Sequence, residues 1–168
     1  MNPTRLILHH TVISSWPAVV KLHTLPKGKI LHLKDGDTTL TLEAKGWKQV
    51  GYHYALQLLH GEDEASARIA LHPGRHILTQ GAGVLGKNKD TIHIALVGNY
   101  SRNPVPILLY NATIRLVATI ATLFRISIDR VQGHRELAAT ECPGLLFNLD
   151  LFREQLINTK LTRIKLTR

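Results

Sequence analysis

Residues 5–11 read RLILHHT and residues 133–144 read GHRELAATECPG, and these two stretches decide what the chain is expected to build. Residues 5–8 have the composition of a short buried strand, so His9 would stand where that strand leaves the sheet. A second short strand is expected at 131–132, directly before His134. Seven residues then separate His134 from Cys142, enough for a loop that returns the thiol to the histidine. Because Zn²⁺ takes imidazole and thiolate ligands, the three residues predict a hydrolytic zinc site with one position open to water.

Each of these residue types also has an ordinary structural explanation. A lone cysteine is often a small buried apolar residue, and with ten histidines in the chain no single one is informative by itself. His72 and His76 are four residues apart, but the Pro-Gly dipeptide between them argues against a helical ligand pair. Arg135 and Glu136 are candidates for either support of the neighbouring ligand or contact with a substrate. We expect His23, His32 and His60 to be solvated, and we expect His53 and His93 to lie in the core or at the surface.

Four blocks of sequence occur in a familiar order along residues 5–150. They are LHHT, GWKQVGYHY at 46–54, GAGVLGKNKDTIHIALVGNY at 81–100 and GHRELAATECPG at 133–144. In this order they resemble the zinc-dependent N-acetylmuramoyl-L-alanine amidases of the amidase-2 family, which includes phage endolysins and the animal peptidoglycan recognition proteins. The resemblance implies a single α/β domain, with a central mixed β-sheet flanked by helices, that spans residues 1–168.

The resemblance also implies a role for several residues. The first histidine of the HHT element is the metal ligand in relatives, which favours His9 over His10. His134 and Cys142 match the other two ligands of Zn²⁺. Tyr52, from the GYH element, matches a tyrosine that lies beside the attacking water.

Thr140 stands where phage enzymes of the family carry Lys and the animal proteins carry Thr. Amide hydrolysis needs a nucleophile at neutral pH and a group that absorbs charge on the carbonyl oxygen, and Zn²⁺ supplies both. Tyr52 is expected to orient the water or donate a hydrogen bond to the oxyanion. Because the Thr140 hydroxyl carries no charge, we expect it to stabilise the oxyanion less than a Lys would.

The chain departs from the family pattern at three places. Relatives commonly have Gly where this chain has His93, and His where it has Gly83, so a polar group is removed from the expected substrate groove. Relatives also usually carry a helix between the HHT and GW elements. Here residues 29–43 alternate leucines with polar residues and predict a β-hairpin insertion instead.

The rest of the chain predicts the other elements of the domain. A short helix is expected to begin near Ser15 and to end by Pro26. The best helix, at 105–126, has a wide apolar stripe that should pack across the sheet. The remaining expected elements are a central strand at 52–59, a return strand at 67–71, a continuous apolar strand at 91–97 and a final helix at 147–161.

The charge and composition of the chain limit the classes of partner that it is expected to bind. The chain has 168 residues, a net charge of +9 and a single cysteine, which excludes an internal disulfide. The positive charge favours polyanions, and we expect an anionic bacterial envelope as the partner, contacted through the basic segment 159–168 unless that segment is only a frayed helix end. Aromatic residues make up only 5%, so no nucleic-acid partner is expected. No transmembrane segment and no secretory signal are expected, and the protein is expected to be a monomer.

Together these features favour an amidase that cleaves the bond between N-acetylmuramic acid and L-alanine of peptidoglycan. Small size, missing signal and basicity favour a phage endolysin that is synthesised in the cytoplasm and acts on the cell wall after release. Alternatives are a wall-recycling amidase that acts on soluble muropeptides and a peptidoglycan-binding protein without catalysis. A phage regulator that inhibits a polymerase through another surface has only family precedent.

Overall fold

The computed structural model describes residues 1–35, 38–61 and 66–166, with side chains to residue 159. Five strands form one mixed sheet: β1 (Arg5–His10), β4 (Tyr54–Leu59), β5 (Arg68–Pro73), β6 (Thr91–Leu96) and β7 (Val131–Gly133). Their order is β5-β4-β6-β1-β7, and only the β4–β5 pair is antiparallel. The predicted central strand at 52–59 corresponds to β4, which lies between β5 and β6. Tyr52 itself precedes β4.

One face of the sheet packs against two helices, α2 (Ile107–Leu123) and α3 (Leu149–Leu166). Both β1 and β6 are buried along almost their whole length, as parallel strands covered on both faces are. Alternate residues such as Leu6, Leu8 and Ile94 join the main apolar cluster with Val117 of α2 and Phe152 of α3. The predicted helix at 105–126 is thus confirmed, and the final helix continues beyond the expected residue 161.

The other face of the sheet is covered by helix α1 (Trp16–Thr24) and by a separate antiparallel hairpin. The hairpin consists of β2 (Ile30–Asp35) and β3 (Thr38–Glu43), which confirms the β-hairpin expected at 29–43. Leucines of the hairpin pack against a smaller apolar cluster that contains Trp16, Val19 and Val97. The fold is the single α/β domain that the sequence predicts.

The basic segment 159–168 falls largely outside the described side chains, so its proposed contact with an envelope stays a prediction. Among the described residues, no helix has the length and hydropathy that a membrane span requires.

Candidate metal centre

The two histidines of the predicted site are brought together by the order of the strands. His9 lies near the carboxyl end of β1, and His134 directly follows β7, which pairs with β1 in parallel. Because the carboxyl ends of neighbouring parallel strands meet at one edge of a sheet, the two imidazoles converge, and their ring centroids are 4.9 Å apart. Cys142 reaches the same edge from the loop between β7 and α3.

The donor atoms of His9, His134 and Cys142 all lie within 4.8 Å of one another. The Cys142 Sγ is 3.6 Å from Nδ1 of His9. For a tetrahedral Zn²⁺ with ordinary bond lengths, the edge between a sulfur and a nitrogen ligand is about 3.6 Å. The donor set and this distance therefore fit a zinc ion. His9 and Cys142 are buried and His134 is half-buried, so His134 is the most accessible of the three donors.

Arg135 positions the loop that carries Cys142. Its backbone N–H donates to the Cys142 carbonyl (2.7 Å), while its guanidinium donates to the carbonyls of Gly144 (2.5 Å) and Phe147 (2.7 Å). Glu136 points elsewhere, because its carboxylate accepts the Gly133 N–H (2.8 Å) and pairs with Arg153 (2.6 Å). Arg135 therefore supports the Cys142 loop, and Glu136 links Gly133 to α3.

The electrostatic setting keeps the ring of His9 neutral and the thiol protonated in the absence of a cation. Burial, followed by the adjacent imidazoles of His93 and His134, holds the pKa of His9 well below its usual value. Burial raises the pKa of the Cys142 thiol to about 12, although the backbone N–H of His10 donates to its sulfur at 3.3 Å. The thiolate form therefore depends on a bound cation, as is usual for a metal-binding cysteine in an apolar setting.

His10 does not compete with His9 for the site. Its side chain lies on the opposite face of β1, where Nδ1 accepts the Tyr100 N–H at 3.1 Å. Burial lowers the pKa of His10 to about 4, so the ring is neutral. The expected preference for His9 agrees with this arrangement.

Tyr52 lies beside His9, and Thr140 lies beside Cys142. The Tyr52 ring packs against His9, with centroids 5.1 Å apart, and burial raises its pKa, so the phenol keeps its proton. Thr140 is exposed, and its hydroxyl oxygen accepts the Cys142 N–H at 3.3 Å. Thr140 and Cys142 line a cleft of about 440 Å³ that also contains Asn99 and Arg102.

The position of His23 and the contact that His93 makes were not predicted from the sequence. His23, expected in solvent, is only 6% exposed: its Nδ1 accepts the Gly51 N–H at 3.3 Å, and its ring packs on Trp47. His93 is fully buried, with Nδ1 3.0 Å from Nε2 of His9. The alternation along β6 places His93 with Ala95 on the face of His9, but only the register Ile7↔His93 reveals the contact. His32 and His60 are exposed, as expected.

Comparison with known proteins places these features in a family. The sequence profile Amidase_2, described as N-acetylmuramoyl-L-alanine amidase, matches residues 1–145. The human N-acetylmuramoyl-L-alanine amidase is 28% identical over 148 residues, which are 86% of this chain and 23% of that protein. Peptidoglycan-recognition protein SC2 of Drosophila simulans is 27% identical over 61% of this chain, which spans 52% of that protein's length.

Solved structures share the fold at low sequence identity. The amidase LysC of Clostridium intestinale superposes with a TM-score of 0.69 at 20% identity, covering 93% of this chain and 86% of that one. The Ph2119 endolysin of a Thermus scotoductus bacteriophage gives 0.61 at 20% identity, covering 92% and 84%. At this level of identity the likeness establishes the architecture alone.

Proposed function

Because the chain belongs to the Amidase_2 family of N-acetylmuramoyl-L-alanine amidases, we propose that it is a zinc enzyme that hydrolyses the amide bond between N-acetylmuramic acid and L-alanine of peptidoglycan. The observation that carries this proposal is the convergence of His9, His134 and Cys142 within 4.8 Å at one edge of the sheet. A binding protein without catalysis would not need all three donors.

In this proposal His9, His134 and Cys142 hold the metal. When bound, Zn²⁺ acidifies a water molecule and polarises the scissile carbonyl. The neutral imidazole of His9 offers a free lone pair, and the loop clamped by Arg135 holds the sulfur in place. The half-buried His134 leaves one side open, so a stem peptide can reach the donors.

Tyr52 and Thr140 act on the developing charge in this proposal. Since the pKa of Tyr52 is raised, its hydroxyl keeps a proton at neutral pH and can donate it in a hydrogen bond to the carbonyl oxygen. The Thr140 oxygen already accepts the Cys142 N–H, which leaves its O–H as a second donor. Both groups stabilise the oxyanion without carrying a net charge.

Metal analysis combined with mass spectrometry of digested peptidoglycan tests the proposal. We expect about one zinc ion per chain and release of intact stem peptides with a free L-alanine amine, both lost in Cys142→Ala. His32→Gln, which changes an exposed histidine of the hairpin, is the matched control and should keep both. Disaccharide fragments, or unchanged peptide release by Cys142→Ala, would contradict the assignment.

We also propose that the chain is a single catalytic domain that acts as an endolysin and is monomeric. The net charge of +9 supports an anionic envelope as its partner, reached after release from the cytoplasm. Deleting residues 159–168 and comparing lysis of intact cells with digestion of purified wall tests the part played by the basic segment. A loss confined to intact cells supports envelope binding, and an equal loss on both substrates excludes it.

A further inference from the structure

His93 lies beneath the candidate metal centre and contacts it through one ring nitrogen. It projects from β6 on the same sheet face as His9, and the pairing Ile7↔His93 sets their spacing. The Nδ1 of His93 is 3.0 Å from Nε2 of His9, and the two ring centroids are 5.2 Å apart. No part of the His93 side chain reaches solvent.

The direction of this hydrogen bond follows from the position of the sulfur. His9 turns Nδ1 toward Cys142, so Nδ1 is the nitrogen that would offer its lone pair to the metal. A neutral imidazole carries one proton, which must then be on Nε2 of His9. His9 therefore donates and Nδ1 of His93 accepts, which leaves the proton of His93 on its own Nε2.

The acceptor is itself held in a fixed orientation. The His93 backbone N–H donates to Nδ1 of His53 at 2.9 Å, so Nε2 of His53 carries the proton and donates to the Thr79 carbonyl at 2.9 Å. The rings of His53 and His93 stack at an interplanar angle of 9°. His93 thus rests on a ring whose own tautomer is determined by two backbone groups.

Two glycines make room for the His93 ring. A Cβ at Gly83 would lie 2.4 Å from Nδ1 of His93 and 2.9 Å from Nε2 of His9. A Cβ at Gly81 would lie 2.4 Å from Cδ2 of His93. A side chain at either position would displace this hydrogen bond, and the chain has glycine at both.

Packing alone does not explain why residue 93 is a histidine. Within the described residues, Nε2 of His93 is buried and has no hydrogen-bond partner. An apolar side chain of similar size would fill the same space without burying an unpaired N–H. What an apolar side chain lacks is an acceptor for His9.

We propose that His93 is a positioning residue: by accepting the Nε2 proton of His9, it commits Nδ1 of His9 to the metal. This inference rests on the proposed function, since it concerns the same site. A ligating histidine generally donates its second N–H to a carboxylate, a carbonyl or water, and loss of that partner typically weakens metal affinity by about 10–100-fold. Here a neutral imidazole takes the place of those acceptors.

Two substitutions of His93 distinguish the loss of the hydrogen-bond acceptor from a change in packing. His93→Leu keeps the approximate volume without an acceptor, whereas His93→Asn keeps an oxygen close to the position of Nδ1. With the 168-residue chain, zinc affinity is measured by competition with a chelator, alongside peptidoglycan digestion. We expect His93→Leu to raise the dissociation constant for zinc about 10–100-fold and His93→Asn to stay within about 5-fold of the wild type. Equal losses in both variants, or no loss in His93→Leu, would overturn the proposal.

The tautomer of His9 is a readout that does not depend on any substitution. In nitrogen-15 spectra of the zinc-loaded wild type, we expect the protons of both His9 and His93 on Nε2. A proton on Nδ1 of His9 would overturn the proposal even if His93→Leu failed to fold. A wild type that takes up no zinc would instead contradict the proposed function, which keeps the two failures distinct.

Discussion

Gly144 provides a quantitative test of how tightly the Cys142 loop is held. It has φ +118°, and a Cβ there would lie 2.4 Å from the carbonyl carbon of Tyr100 and 2.5 Å from its oxygen. That carbonyl cannot move away without weakening a hydrogen bond, because it accepts the Leu146 N–H at 3.0 Å. Gly86 is the matched control: its φ is +72°, and a Cβ there would meet nothing within 4 Å.

The expected costs differ because only Gly144 combines strain with a clash. A positive φ costs an alanine about 1–2 kcal/mol, and this is the whole expected loss for Gly86→Ala. Overpacking adds about 1–3 kcal/mol at Gly144, so Gly144→Ala should lose about 2–5 kcal/mol of unfolding free energy. Since Gly144 also supplies a carbonyl to Arg135, its displacement should move Cys142 and weaken zinc binding.

Urea unfolding in the presence of a chelator measures the first effect, and chelator competition measures the second. Gly86→Ala should leave zinc affinity unchanged. If Gly144→Ala were no more destabilising than Gly86→Ala and bound zinc equally well, the close approach to Tyr100 would not constrain the loop, and the reasoning would be refuted.

Three further predictions concern single side chains. Tyr52→Phe should lower kcat about 10²-fold with unchanged zinc content, and an unchanged kcat would exclude Tyr52 as an oxyanion donor. Thr140→Lys should raise turnover through its added charge, so a fall in rate would count against that account. Burial lowers the pKa of His23 to about 4, so the unfolded chain binds a proton at higher pH than the folded one. Above pH ~6.5 the neutral His23 should therefore contribute about 3 kcal/mol to the free energy of unfolding. This contribution should be lost progressively as the pH falls from about 6.5 to about 4. Unfolding free energies of the wild type and His23→Asn between pH 7 and 4 should converge in acid, and parallel curves would contradict this assignment.

Local sequence patterns predicted most of the elements because they report on which face of a strand or helix is buried. The alternating leucines of 29–43 formed the hairpin, and the apolar stripe of 105–126 formed the helix that covers the sheet. The convergence of His9, His134 and Cys142 was predicted from local motifs and a family resemblance together. The order of the strands was not predicted, because it depends on pairings between distant segments.

The relation between His93 and Gly83 could not be predicted from the sequence. In the sequence they were two unrelated departures from the family pattern, one adding an imidazole and one removing it. In the structure they share one space, since a Cβ at Gly83 would occupy the position where His93 meets His9. No property of either residue alone predicts that contact, which requires the pairing of β1 with β6 and the path of the loop before β6.

The register of β1 against β6 links the stability of the sheet to the chemistry at its edge. Leu8 pairs with Ile94 on the helix-covered face, and His9 pairs with Ala95 on the other face. A slip by one residue would turn every β1 side chain to the opposite face, placing His9 in the apolar cluster and a leucine beside Cys142. The apolar core therefore excludes the register in which the donors are separated. The metal, when bound, excludes the same register, so both forces select one alignment of the strand that carries His9.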